Sequence, residues 1–305
     1  MFPSRIPKAL LALSLLAAAG AVNAQTKLNV GYVPAGDWAP SFIAKDKGFF
    51  EKRKLDVTLT RVALVPNIPP SIVAGSLDIG ISTPTVLFDA VEGGIDVVAI
   101  AGGTRFTREA AIFSVVARSG VKVANAKDLE GKKVGVPGVR SIADVIFRKW
   151  LLQNGVQPGK VTIVETSFPQ MRDLLKGGTV DAVAVLEPFR SRIISDQTGY
   201  KVADYAAEVN PNMIGGVWIA RGEWARKNPE QVQAFRDALA EAIQFTQTNT
   251  EEARAIELKY LGFNSPRFPP YSLSVTPADL EVYSKMSQEV GYMKKPIDLG
   301  KLIAK

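Results

Sequence analysis

Ten residues of this chain have the chemistry to hold a small molecule: Asp37, Trp38, Ser82, Thr83, Arg105, Arg108, Gly138, Arg140, Ser141 and Glu187. The densest group lies in Val136-Pro-Gly-Val-Arg-Ser-Ile142, where a turn at Pro137-Gly138 leads into a helix whose apolar Ile142, Val145 and Ile146 recur at helical spacing. Ser141 is placed as the N-cap, and Asp144 three residues on makes something close to a capping box. The first turn of such a helix offers free N–H groups and the positive end of its dipole, a seat for a small anion. The same pattern also describes an ordinary strand-to-helix turn, because the glycines match neither phosphate-loop formula.

Arg140 stands beside that helix start, and Arg105 and Arg108 lie on a glycine-flanked polar loop. A guanidinium grips a carboxylate or sulfonate through two parallel hydrogen bonds. One such charge-assisted bond is worth roughly 1.5 to 3 kcal/mol, against about 0.3 to 1 kcal/mol for an exposed helix end, so an inward arginine is expected to decide affinity. Glu187 pulls the other way: a buried carboxylate needs a donor, either a ligand amino group or one of the arginines. A zwitterion such as an aminosulfonate and a simple organic acid both satisfy that set. Ser82 and Thr83 end a strand ahead of Pro84 and either grip a ligand or cap the next helix. Trp38, with Asp37 in the loop after the first strand, either meets a ligand, stacking on a ring together with Phe106, or lids the core.

These residues need elements that bring them to one edge. Apolar runs place strands at residues 28–33, 57–60, 78–81, 96–102, 111–117, 133–136, 161–165, 201–204 and 213–221, with a further strand opened by Asp181. Helices are expected at 41–50, 169–176, 232–246, 251–261, 277–290 and from 299 onwards, the last two as cladding. Gly75-Ser-Leu-Asp78 and Gly178-Thr-Val-Asp181 are matching phrases, each opening a buried strand, which suggests two lobes of related build. The first lobe is expected to break at Arg118-Ser-Gly120, and Gly215-Gly216 begins the return to it, as a hinge or for packing. The expected division is a leader at 1–24, one lobe from 25–117 and 217–305, and a second lobe from 118–216.

The chain has 305 residues, 47% hydrophobic and 22% charged, ample for two compact α/β domains. Arg5 and Lys8 precede an apolar run over residues 9–19, and Val22-Asn23-Ala24 is a signal-peptidase pattern, so the mature protein is expected to begin near Gln25, in the periplasm. With no cysteine there is no disulfide scaffold, thiolate metal site or lipid-anchoring residue. The absence of histidine excludes histidine-dependent triads and imidazole metal sites. The net charge of +7 is spread among acids without a basic stripe, so nucleic acid is not expected as a partner. No cofactor or metal is expected.

In order along the chain, Gly31-Tyr-Val-Pro34, Ala44-Lys-Asp-Lys-Gly-Phe-Phe-Glu51, Ala74-Gly-Ser-Leu-Asp-Ile-Gly80, Leu129-Glu-Gly-Lys-Lys-Val-Gly-Val-Pro137 and Asp181-Ala-Val-Ala-Val-Leu-Glu-Pro188 follow the leader. This set resembles the periplasmic substrate-binding proteins of ABC importers, in the NMT1/THI5-like group that binds nitrate, sulfonates, taurine and thiamine precursors. The resemblance implies an α/β, two-lobed, type II-like binding protein, its second lobe inserted in the first. It further implies a monomer that closes on a small anionic or zwitterionic ligand, meets ABC membrane subunits and performs no catalysis. In that family the cleft is lined at places corresponding to Asp37 and Trp38, Ser82 and Thr83, Gly138 to Ser141, and Glu187. Leu186 and Glu187 stand where an aromatic and an aspartate are common, so no particular substrate carries over. Two alternatives remain open: a ligand sensor for a membrane receptor, and an enzyme using Asp37 with Glu187.

Overall fold

The computed structural model describes residues 25–107 and 113–304. The leader and Arg108 lie outside the described residues. In chain order the strands are β1 (Thr26–Tyr32), β2 (Leu55–Arg61), β3 (Ile79–Ser82), β4 (Val97–Gly102), β5 (Arg105–Phe106), β6 (Ser114–Arg118), β7 (Lys133–Val136), β8 (Thr162–Glu165), β9 (Ala182–Val185), β10 (Gly199–Ala203), β11 (Met213–Ile214) and β12 (Val217–Arg221). They form two five-stranded sheets, ordered β2-β1-β3-β12-β4 and β10-β6-β9-β7-β8. The short pair β5 and β11 runs antiparallel where the chain crosses from one sheet to the other and back.

Every residue of β3, β4 and β9 is buried, as continuous apolar runs require when helices cover both faces of a sheet. β12 enters the middle of the first sheet antiparallel to both neighbours, β3 and β4. The strand expected at 111–117 is found from Ser114, but it pairs with β9 and β10 of the second sheet. The step between sheets therefore precedes it and does not fall at Arg118. Its buried Val115, Val116 and Ala117 fit either sheet equally well, so composition alone misplaced it.

The two matching phrases do the same job. Asp78 exchanges backbone and side-chain bonds with Asn29 of β1: its N–H donates to the Asn29 carbonyl at 2.8 Å and its Oδ2 accepts from the Asn29 N–H at 2.7 Å. Asp181 repeats both bonds on Lys133 of β7, at 2.8 and 3.0 Å. The glycines that open the phrases, Gly75 and Gly178, both take the left-handed turn, at φ 75° and 71°. Each aspartate thus locks the start of one strand to its parallel neighbour.

The C-terminal helices Pro229–Thr248 and Thr250–Leu261 pack on the helix Ala39–Asp46 and the turn after it, where Phe235 stacks on Phe50 and Tyr260 on Phe42. The expected helix from residue 299 is only a single turn, Leu299–Leu302, after which Ala304 bonds back to Ala99 of β4. Among the described residues no helix is long and apolar enough to cross a membrane.

Candidate functional site

The carboxyl ends of the strands meet between the two sheets, the place where open α/β sheets bind ligands. They enclose a cavity of about 30 Å³. The first sheet contributes Asp37 and Trp38 after β1 and Thr83 after β3, and the second contributes Pro137 and Ser141 after β7 and Leu186 after β9. Phe113 and Gly215, beside the two crossovers, complete opposite sides. The remaining walls are apolar, and among the described residues no lysine or arginine lines the cavity.

Ser141 heads the helix Ile142–Gln153 as expected but does not cap it. Gly138 at φ 103° and Arg140 at φ 64° turn the chain so that the Arg140 N–H, and not that of Ser141, reaches Asp144 at 2.8 Å. The Ser141 hydroxyl is left 2% exposed, on the cavity wall and without a hydrogen-bond partner. Behind it, Ile142 and Ala143 also line the cavity, and N–H groups of a first helical turn have no acceptor within the helix. Thr83, by contrast, is committed as a cap, accepting from the Val86 N–H at 3.4 Å.

Asp37 sits in the single turn Gly36–Trp38, 7% exposed. Its Oδ2 accepts from the Thr104 hydroxyl at a long 3.4 Å. Burial raises its pKa to about 7; the Thr104 bond opposes this and the charge of Glu257 adds to it. Glu257, on the helix Thr250–Leu261, is itself held above the usual carboxylate range by burial, although the Ser265 hydroxyl and N–H donate to it at 2.6 and 3.1 Å. The Tyr271 hydroxyl donates to the Gly36 carbonyl at 3.1 Å and pins the turn from behind. Sequence reasoning missed Glu257 and Tyr271 because nothing local ties them to a turn more than 200 positions earlier.

Trp38 lines the cavity and meets Trp218 edge-on at 5.3 Å in the core. Its ring also decides the question of the paired glycines. A Cβ on Gly216 would overlap the Trp38 ring, and one on Gly215 would overlap Thr104, so both are packing glycines with φ outside the left-handed region. Gly216→Ala is expected to displace the Trp38 ring at a cost of about 1 to 3 kcal/mol. Urea denaturation with tryptophan fluorescence measures this, and an unchanged midpoint and emission maximum would show that the ring gives way freely.

The other expected residues are placed elsewhere. Arg140 reaches across to the helix Pro84–Glu92, where Nε and Nη2 each bond Asp89 at 2.7 Å. Its guanidinium also lies 4.6 Å over the Tyr292 ring, whose hydroxyl donates to Asp144 at 2.7 Å. Arg105 pairs with Asp279 at 2.8 Å and Asn212 at 3.2 Å. Glu187 accepts from Arg190 at 2.7 Å and from the Ser191 hydroxyl at 3.0 Å, while its neighbour Leu186 faces the cavity. Ser82 is buried with its hydroxyl on the Thr83 carbonyl, and Gly138 abuts Pro66. The cavity thus unites Asp37, Trp38, Thr83 and Ser141, while the Arg140–Asp89 pair ties the second lobe to the helix Pro84–Glu92 of the first. The wall residues Val65, Phe113 and Phe168 carried no signal in sequence beyond being apolar.

Two α/β lobes closed over such a cavity, the second inserted in the first, define the type II-like periplasmic binding protein fold. The chain belongs to the NMT1-like family, whose profile matches residues 22–259. It is 29% identical to the bicarbonate transport ATP-binding protein CmpC of Synechocystis over 79% of this chain and 38% of that protein. It is 26% identical to the nitrate/nitrite binding protein NrtA of Nostoc over 72% of this chain and 54% of that one. It thus spans well under two thirds of either relative. Among solved structures, the alkanesulfonate-binding protein SsuA of Xanthomonas axonopodis pv. citri, bound to MOPS, superposes with a TM-score of 0.78 at 18% identity, covering 91% of this chain and 98% of that one.

Proposed function

We propose that this protein is a periplasmic solute-binding component of an ABC importer, which closes its lobes on a small organic acid, carboxylate or sulfonate, and delivers it to the membrane subunits. The observation that carries this reading is the buried, unpartnered Ser141 hydroxyl at the head of a twelve-residue helix, on the wall of the cavity between the sheets. An acidic group seated there accepts from the Ser141 hydroxyl and from the N–H groups of the first turn. The names of CmpC, NrtA and SsuA, which give bicarbonate, nitrate or nitrite and alkanesulfonate, support a small anion as the ligand. Because Arg140 and Arg105 are engaged with Asp89 and Asp279, helix N–H groups and a hydroxyl are the donors that the described residues offer the acid. Strand pairing supports placing the lobe crossovers at β5 and β11.

Isothermal titration of the mature, ligand-stripped protein with small carboxylates and sulfonates tests the reading. Ser141→Ala is expected to weaken binding of a responding acid by about tenfold, the worth of one hydrogen bond to a charged group, with the melting temperature unchanged. An unaltered dissociation constant would remove Ser141 from the site. Saturation is expected to leave the radius of gyration at the closed value or bring it there, and a larger liganded molecule would count against enclosure.

A further inference from the structure

Ring contacts run from the cavity wall to a second place where the two halves of the molecule touch. Phe168, on that wall and at the head of the helix Phe168–Lys176, lies nearly parallel to Phe189, with ring centres 5.6 Å apart. Phe189 heads the helix Phe189–Ser195, which packs beside β10 of the second sheet. Its ring also meets that of Phe263 at 4.9 Å and 86°, the perpendicular arrangement that aromatic pairs favour. Phe263 comes from the side of the first sheet: it follows the helix Thr250–Leu261, which packs on the helix Ala39–Asp46. Arg192, three residues after Phe189 and so on the same face of its helix, holds its guanidinium 5.1 Å over the Phe263 ring. The second lobe thus offers a slot of one ring and one cation, and the first lobe fills it.

The turn that carries Phe263 is held by its own helix. Gly262 closes that helix at φ 82°, its N–H donating to the Leu258 carbonyl at 2.8 Å. The Ser265 N–H and hydroxyl donate to Glu257, and Arg254 donates to the Ser265 carbonyl at 2.9 Å and to the Pro266 carbonyl. The ring is therefore placed in advance, and docking it costs little ordering. Phe168 and Phe189 are 6% and 5% exposed, whereas Phe263 is only partly buried, so its removal leaves both cores intact. Phe263 does not line the cavity. We infer that Phe263 is a closing clasp: it enters the slot when the lobes shut, leaves it when they part, and so sets how long a solute stays without touching it. This rests on the reading that the lobes close on a solute, and not on which solute that is. A contact present only in the closed state slows release and leaves entry to the open state unaltered. Because the clasp needs no solute, it favours closure of the empty protein as well.

The test has two arms. In the first, stopped-flow tryptophan fluorescence, with Trp38 on the cavity wall as reporter, follows nitrate, propionate and ethanesulfonate binding to the ligand-stripped protein. Phe263→Ala is expected to speed release of every bound probe by about tenfold and to leave association within about twofold. Phe263→Leu, which keeps an apolar group in the slot, falls between. Arg192→Ala gives a smaller rise and, combined with Phe263→Ala, adds nothing, because the guanidinium acts through the ring. The second arm uses no solute. The chain has no cysteine of its own, so Val73→Cys and Ile194→Cys, both exposed and one in each lobe, carry a spin-label pair for pulsed dipolar spectroscopy. Phe263→Ala is expected to move the distance distribution away from that of the closed form. The inference is overturned by unchanged release rates, by a factor that differs from probe to probe as a ligand contact would give, by additive effects in the double variant, or by an unshifted distance distribution. Failure of all three probes to bind the wild-type protein would sink the acid reading alone, since the second arm still decides the clasp.

Discussion

Asp37→Asn is expected to make the unliganded protein more stable at pH 8 by about 4 kcal/mol, and to change it little near pH 4. The carboxyl titrates near 3.8 when unfolded and at about 7 when folded. Below the lower value both states hold the proton. Between the two, the unfolded chain releases it and the folded chain retains it, so stability falls by about 1.4 kcal/mol per pH unit and levels off above pH 7. The amide carries no charge at any pH and escapes the loss. Glu257 shifts in the same direction and remains in both proteins, so the difference between their urea midpoints across pH isolates Asp37. Parallel pH profiles would mean that Asp37 is as well solvated when folded as when unfolded. A site residue that weakens the empty protein has its counterpart in what it binds, as trade-offs between stability and function show.

The second large effect belongs to Asp144, which is wholly buried and accepts three bonds: from the Arg140 N–H, from Arg148 Nε at 2.7 Å and from the Tyr292 hydroxyl at 2.7 Å. Asp144→Ala is expected to cost about 2 to 4 kcal/mol, because it strands the half-buried Arg148 guanidinium and Tyr292 hydroxyl that the carboxylate satisfied. It should also enlarge the molecule in solution scattering. Tyr292 belongs to the C-terminal segment and Asp144 to a helix of the second sheet, so this junction, with Arg140 on Asp89, holds the lobes together. Asp144→Asn keeps an acceptor for Tyr292 and should cost less. A loss below 1 kcal/mol in the alanine variant, with unchanged dimensions, would show that Asp144 is not the keystone of that junction.

What the sequence revealed and what it hid divide by distance along the chain. Strands announced themselves because a run buried on both faces must be apolar, and the loop holding Asp37 and Trp38 was legible as the end of the first of them. Ser141 was readable as the head of a helix, but its free hydroxyl was not, since that depends on a left-handed Arg140 redirecting its own N–H to Asp144. The partners of Arg140 and Arg105 were hidden for the same reason: Asp89 and Asp279 lie 51 and 174 positions from the residues they bind. The partner of Glu187 was within reach of the sequence. Arg190 follows it at helical spacing, and a carboxylate with a cation three residues on has a partner at hand.

The position of β12 also has a consequence for how the molecule is made. β3 and β4 are not neighbours; β12 lies between them, and residues 103–216 must be synthesised before it exists. A nascent chain therefore carries an unfinished first sheet with two open strand edges, while the second sheet draws all its strands from the continuous stretch between residues 114 and 203. The second lobe can complete itself first. For a chain delivered from its N-terminus, the half that emerges earliest is the half that waits, and its open edges are the surface most exposed to wrong pairing until Val217–Arg221 arrives.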